Sequence, residues 1–158
     1  MALLLTLDAS VFVAACHQRE PGHAASRALL AGLRGTDTPL AEPAILPVEV
    51  AGALRRAGDD PELAREFASA ILALPHLTLV PVDERLARRA IVVATDHRLR
   101  GADALYTTVA AHYGARLVTL DIEQLDRAPD TVVPVPPWWP SSYWRRHPGA
   151  LAMERDNG

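Results

Sequence analysis

Short apolar runs alternate with longer amphipathic stretches along this chain. Residues 3–7 and 117–120 are almost uninterrupted apolar runs, whereas residues 24–33 and 102–113 have apolar positions at helical spacing. A short run that is apolar at successive positions is typical of a strand buried on both faces, as in a parallel sheet. Strands that alternate with helices predict right-handed crossovers and a three-layer α/β/α sandwich.

The same pattern, together with proline and glycine as breakers, predicts the individual elements. Strands are expected at residues 3–7, 77–80 and 117–120, with a weaker candidate at 38–41. Helices are expected at residues 10–15, 24–33, 45–57, 61–74, 83–94 and 102–113.

The pattern changes after Val133. The remainder is rich in proline and contains all three tryptophans, so most of it is not expected to form regular structure. We therefore expect a domain at residues 1–133 and a tail at residues 134–158. The tail has the composition of a protein interface, but it could equally pack its aromatic side chains back on the domain. The residues concerned are Trp138, Trp139, Trp144, Arg145 and Arg146.

Composition narrows the class of protein. With 158 residues, 49% of them hydrophobic, the chain is long enough for one globular core. A net charge of −3 excludes a general basic field but allows a local basic groove. The single Cys16 cannot form an intramolecular disulfide. Since there is no signal-like start and no apolar run of membrane-spanning length, we expect a soluble, cytoplasmic protein without membrane contact.

All 16 basic residues are arginine. The absence of lysine excludes P-loop nucleotide hydrolysis, which requires a Gly-Lys-Ser/Thr ending. Receiver domains also gather acids at strand ends, but they use a lysine beside the phosphorylated acid and are excluded on the same ground.

Four acidic residues stand out by position. Asp8 and Asp121 each follow the sequence Thr-Leu at the end of a predicted strand, where ligands bind in open α/β sheets. Glu49 and Asp103 lie in predicted helices among apolar neighbours, where a carboxylate needs a partner. Each acid taken alone could be a turn residue, a favourable charge at a helix start or a solvated side chain.

The chain offers no lysine to compensate these acids, and adjacent carboxylates repel one another unless a proton or a cation intervenes. A divalent cation would resolve the repulsion. Ligands that are all oxygen favour Mg²⁺ or Mn²⁺ over zinc. The six histidines lack the spacing of a metal-binding motif.

Three segments and their order resemble the PIN-domain ribonucleases, and among them the VapC-type toxins of prokaryotic toxin–antitoxin pairs. The segments are LDASVFV at residues 7–13, PVEVAGAL at 47–54 and RGADALYTTVAAHYGARLVTLD at 100–121. The resemblance implies a central parallel sheet of about five strands with four acids at one end, which hold one or two Mg²⁺ or Mn²⁺ ions. By this resemblance the acids are Asp8, Glu49, Asp103 and Asp121, and Ser10 supplies a supporting hydroxyl.

The resemblance implies a metal-dependent endoribonuclease that acts as a toxin. Asp8, Asp103 and Asp121 would bind the metal, and Glu49 would be either a further ligand or the base that orients water. The expected partners are substrate RNA, an antitoxin protein and a second copy of the chain.

Two arginines before Asp103 are candidates for contact with RNA. Arg98 and Arg100 could hold the RNA backbone beside the acids, or they could belong to a solvated turn.

Two other functional classes stay open. A PIN module can serve in binding without catalysis, since fold does not determine function. A phosphatase of the haloacid dehalogenase type also begins with an aspartate after its first strand. That chemistry needs a second aspartate two positions later, where this chain has Ser10, and a lysine.

Overall fold

The computed structural model describes residues 3–139. These residues form five strands: β1 Leu5–Leu7, β2 Leu40–Pro43, β3 Leu77–Val80, β4 Arg116–Val118 and β5 Pro134–Val135. The helices are α1 Ala9–Cys16, α2 His23–Arg34, α3 Leu46–Arg56, α4 Pro61–Leu72, α5 Glu84–His97, α6 Gly101–Tyr113 and α7 Ile122–Arg127. None of these helices is long and apolar enough to cross a membrane.

The strands form one parallel sheet in the order β3-β2-β1-β4-β5. Strand β1 lies at the centre, where Leu5 pairs with Leu40 on one side and Leu7 with Val118 on the other. All three residues of β1 are buried, as expected for a strand covered on both faces. The predicted α/β fold with a five-stranded parallel sheet is confirmed.

Helices cover both faces of the sheet. Leu40 and Ala41 are consecutive in β2 and therefore point to opposite faces. Leu40 belongs to the main apolar cluster, which contains buried residues of α1 to α4. Ala41 belongs to a second cluster with Leu86 of α5 and Val109 of α6. The layers are therefore helix, sheet and helix.

The end of β4 shows why the observed strand is shorter than the predicted one. The Thr119 N–H still donates to the Val135 carbonyl at 2.9 Å, but side chains accept the next two N–H groups. Ser10 Oγ accepts from the Leu120 N–H at 3.1 Å, and Thr119 Oγ1 accepts from the Asp121 N–H at 2.9 Å. Leu120 then packs against Gly22, where a Cβ would approach its side chain to 2.8 Å. Glycine at position 22, with φ of 83°, thus permits Leu120 to approach the start of α2 closely.

Two short elements differ from the predictions. Helix α7 has six residues, too few for a helical period to be visible in the sequence. Strand β5 contains Pro134, which lies on the sheet edge, where a missing N–H is tolerated. The first two residues of the expected tail therefore pair with β4 in the sheet.

The described part of the tail packs on the domain. Trp139 contacts the main apolar cluster, and the guanidinium of Arg116 lies 4.0 Å from the centroid of its ring. Trp138 is exposed. Trp144, Arg145 and Arg146 lie outside the described residues, so the division into domain and tail, and the tail's role as an interface, stay predictions.

Candidate metal centre

Asp8 lies directly after β1 at the carboxyl edge of the sheet. Its N–H donates to the Val118 carbonyl at 2.9 Å, which anchors the residue between the two strands. Its carboxylate caps α1, with Oδ2 accepting from the Ser10 N–H at 2.9 Å, and Oδ1 accepts from the Gln124 side chain at 3.2 Å. Asp8 is only 4% exposed. The carboxylate therefore has a fixed orientation and little contact with solvent.

Arg100 joins two other predicted acids. Asp103 lies in the first turn of α6 and is buried, and Asp121 caps α7 at the exit of β4. Arg100 Nε donates to Asp103 Oδ2 at 2.9 Å, and its Nη2 donates to Asp121 Oδ2 at 2.5 Å. One guanidinium thus bridges carboxylates from two elements that are separate in the sequence.

Glu49 faces the same group from α3. Its Oε2 accepts from the Tyr106 hydroxyl at 2.7 Å. Burial and the charge of Glu49 raise the pKa of Tyr106, so the phenol stays protonated and serves as the donor. Glu49 also contributes to a raised pKa at Asp8, which shows that its negative charge acts on that carboxylate.

The positive charge near Asp8 and Asp103 does not fully compensate their carboxylates. Burial raises the pKa of Asp8, and the hydrogen bonds from Ser10 and Gln124 oppose this only in part. Burial and then the charge of Asp8 raise the pKa of Asp103 to about 6, even though Arg100 acts in the opposite direction. A bound cation would favour the charged form of both carboxyl groups.

The predicted site residues Arg98 and Ser10 have different surroundings. Arg98 has an exposed side chain and ends α5 in a left-handed conformation, φ 55°, with its carbonyl accepting from Arg127. Ser10 supports the site from within, because it donates its N–H to Asp8 and accepts the Leu120 N–H.

A metal ion fits this group by its chemistry. The donors are carboxylate oxygens, as Mg²⁺ or Mn²⁺ prefers, and two buried side-chain oxygens beside the acids, Glu42 Oε2 and Gln124 Oε1, have no hydrogen-bond partner. Among residues 3–139, however, no three histidine, cysteine, aspartate or glutamate side chains are grouped closely enough to hold an ion. Arg100 contacts Asp103 and Asp121, and Tyr106 contacts Glu49.

Two buried polar residues near Asp8 escaped the sequence analysis. Glu42 lies in β2, is fully buried and accepts from the Leu7 N–H at 2.6 Å. Glu42 follows directly on the weak strand predicted at 38–41. An acid at the end of a predicted strand could therefore have marked it as a candidate. Gln124 lies in α7, an element without a visible period, and nothing in the sequence marked it.

Glu42 predicts a pH-dependent stability. Burial raises its pKa far above the ordinary value, with a further contribution from the charge of Asp8, so the folded state holds the Glu42 proton that the unfolded chain releases. Wild-type stability should therefore fall as the pH rises above the unfolded pKa. Glu42→Gln removes this loss. Its stability relative to wild type should be greater at pH 6.5 than at pH 5.5, measured by urea unfolding.

The control for this measurement is Glu66→Gln, which changes an exposed glutamate on α4. Its stability difference from wild type should be the same at both pH values. A difference for Glu42→Gln that does not change with pH would show that Glu42 is ionised in the folded protein.

The fold and the acidic edge define an α/β protein with a candidate site at the carboxyl ends of parallel strands, the usual ligand position of such sheets. The family model of the PIN domain matches residues 5–130. This chain therefore belongs to the PIN domain family. Comparison with the sequences of curated proteins gives no match.

Several solved structures are similar to this one. The structure of PAE2754 from Pyrobaculum aerophilum aligns with a TM-score of 0.64 and 22% identity, covering 96% of this chain and 92% of the other. VapC20 of Mycobacterium tuberculosis, a toxin that cleaves the sarcin-ricin loop, aligns with a TM-score of 0.66 and 18% identity. The alignment covers 82% of this chain and 99% of VapC20. FitAcB of Neisseria gonorrhoeae aligns with a TM-score of 0.64 and 21% identity, and the alignment covers 86% of this chain and 99% of the other. At these identities the likeness establishes the fold.

Proposed function

We propose that this protein is a metal-dependent endoribonuclease and the toxin of a toxin–antitoxin pair. The observation that carries the proposal is the linked set of Asp8, Asp103 and Asp121 at the carboxyl edge of a PIN-domain sheet. Burial and neighbouring acids raise the pKa of two of them, Asp8 and Asp103. A similar structure, that of VapC20, belongs to an RNA-cleaving toxin.

Asp8, Asp103 and Asp121 would hold Mg²⁺ or Mn²⁺. The bound ion would supply an activated water and neutralise charge on the phosphate oxygens. Glu49 is either a further ligand or the residue that orients the water and accepts its proton; the Tyr106 hydroxyl fixes its carboxylate for either role.

Arg98 and Arg100 would contact the RNA backbone. The exposed Arg98 side chain is available for a phosphate. Arg100 has a side chain that is 69% exposed although its guanidinium contacts Asp103 and Asp121. When a cation takes over those carboxylates, the Arg100 guanidinium would become free for the phosphate of the substrate.

The similar structures include a toxin–antitoxin complex from Klebsiella pneumoniae, VapBC2 of Rickettsia felis bound to a DNA fragment from its promoter, and FitAB bound to a DNA fragment. As part of the proposal we extend toxin–antitoxin assembly to the present chain, with an antitoxin as inhibitor and a second copy of the chain as a dimer partner. Contact with a membrane is not part of the proposed function.

The test uses purified protein and structured RNA, with Mg²⁺ or Mn²⁺ added or removed by chelator. Cleavage should require the ion, and sequencing of the new RNA ends would identify the cleaved site. Induced expression of the wild type should also arrest growth, and co-expression of the neighbouring antitoxin should relieve the arrest. Cleavage that persists in chelator would contradict the mechanism, and binding of RNA without cleavage would indicate a PIN module that acts only in binding.

A further inference from the structure

Gln124 contacts all three acids that are proposed to hold the metal. Its side-chain Nε2 lies 3.2 Å from Asp8 Oδ1 and 3.4 Å from the main-chain carbonyl oxygen of Asp103. Its main-chain N–H donates to Asp121 Oδ1 at 3.0 Å. The residue is fully buried. It therefore connects elements β1, α6 and α7 at the point where the acids meet.

The chemistry of the neighbours determines which way the amide points. Asp8 Oδ1 and the Asp103 carbonyl are both acceptors, so the NH₂ group must face them, because the amide oxygen in that place would be repelled. The amide oxygen, Oε1, then has no partner among the described residues. A buried acceptor without a partner destabilises a protein.

Leucine at this position would avoid that cost, since it has a similar size and no polar atoms. Glutamate would add another negative charge to a group of acids whose pKa values are already raised. An amide is the neutral side chain that can donate a hydrogen bond to Asp8 without changing the charge of the site. The orientation of Asp8 accounts for an amide at a buried position where its own oxygen has no partner.

We propose that Gln124 is a positioning residue that fixes the Asp8 carboxylate relative to Asp103 and Asp121 for cation binding. This inference rests on the proposed metal-dependent nuclease function. It assigns to Gln124 no contact with the RNA and no proton transfer, because its amide hydrogen bonds are directed to the acids.

The test compares Gln124→Leu with wild type by calorimetric titration of Mn²⁺ and by steady-state RNA cleavage. Loss of a hydrogen bond that orients a metal ligand should weaken Mn²⁺ binding by about 10-fold or more. At subsaturating Mn²⁺, kcat should fall by a similar factor, whereas KM for RNA should change little. The melting temperature in chelator should change little, because removal of the orphaned amide oxygen and loss of the hydrogen bond to Asp8 act in opposite directions.

The control is Gln18→Leu, which replaces the exposed and only other glutamine of the chain. It should leave Mn²⁺ affinity and kcat unchanged. An Asp8→Asn background provides a second check: if Gln124 acts through Asp8, adding Gln124→Leu to Asp8→Asn should not weaken Mn²⁺ binding further. An equal weakening in both backgrounds would show a merely structural role and overturn the proposal.

The outcomes separate this inference from the proposed function. If wild type binds Mn²⁺, the Gln124→Leu variant binds it more weakly and neither cleaves RNA, the nuclease proposal is wrong and the positioning role stands. If both proteins bind Mn²⁺ with the same affinity and cleave RNA at the same rate, the nuclease proposal stands and the positioning role is wrong.

Discussion

Asp8→Asn should reduce metal-dependent RNA cleavage by about 10³-fold or more, since catalytic groups that act as a unit typically lose most of their effect when one is removed. Asp8 is the central acid: it lies at the exit of the middle strand and contacts Gln124. Asparagine is as good a helix N-cap as aspartate, so the variant should keep the hydrogen bond to Ser10 and the fold. Initial cleavage rates at saturating Mn²⁺, together with melting curves, measure both expectations.

The matched control is Asp96→Asn, which removes an exposed carboxylate from α5. It should cleave RNA at the wild-type rate. Asp103→Asn and Asp121→Asn should each resemble Asp8→Asn, and the triple variant should be little worse than any of the three, because ligands of one ion act as a unit. Independent, multiplying losses would show that the three acids do not share a metal.

Asp103→Asn should raise the melting temperature in chelator at pH 7.5. The pKa of Asp103 is raised from 3.8 to about 6, so its ionisation costs the folded state up to about 3 kcal/mol at that pH. One opposing effect is smaller: the charge at the helix start contributes about 0.3–1 kcal/mol. The ion pair with the largely exposed Arg100 is already part of the pKa of about 6, because Arg100 acts to lower that pKa.

The pH dependence follows from the direction of that shift. Because the folded pKa lies above the unfolded one, the stabilisation by protonated Asp103 is complete below pH 3.8 and is lost as the pH rises through about 6. The advantage of the asparagine variant should therefore be large at pH 7.5 and small near pH 4. Added Mn²⁺ should stabilise the wild type more than the variant.

Melting curves at the two pH values, with chelator or Mn²⁺, decide the role of Asp103. A variant that melts below wild type in chelator and responds equally to Mn²⁺ would place Asp103 outside the metal centre and leave it a helix-start residue.

The order of strands and helices, and the acids at strand exits, could be read from the sequence because each depends on local pattern. The run at residues 3–7 is apolar at every position but one and is followed by Asp8, and the long helices α2 and α4 have clear apolar spacing. Strand β4 and helix α7 show the limit of such patterns. After β4, the hydroxyls of Ser10 and Thr119 accept backbone N–H groups, and the Asp121 carboxylate caps the start of α7. These contacts cannot be read from local apolar spacing.

The sequence by itself determined a parallel α/β fold, since burial on both faces leaves a local signature. It also marked Asp8 and Asp121 by their strand exits, and Glu49 and Asp103 by their apolar neighbours in helices. Only the tertiary structure decided how those acids are compensated. Arg100 bridges Asp103 to Asp121, Tyr106 holds Glu49, and Gln124 reaches Asp8 across 116 positions of sequence. The tertiary structure likewise showed that Glu42 is buried in β2 beside β1, where it accepts from the Leu7 N–H. The reason is physical: the partner of a buried polar group depends on distance in space, which hydrophobic spacing along the chain does not encode.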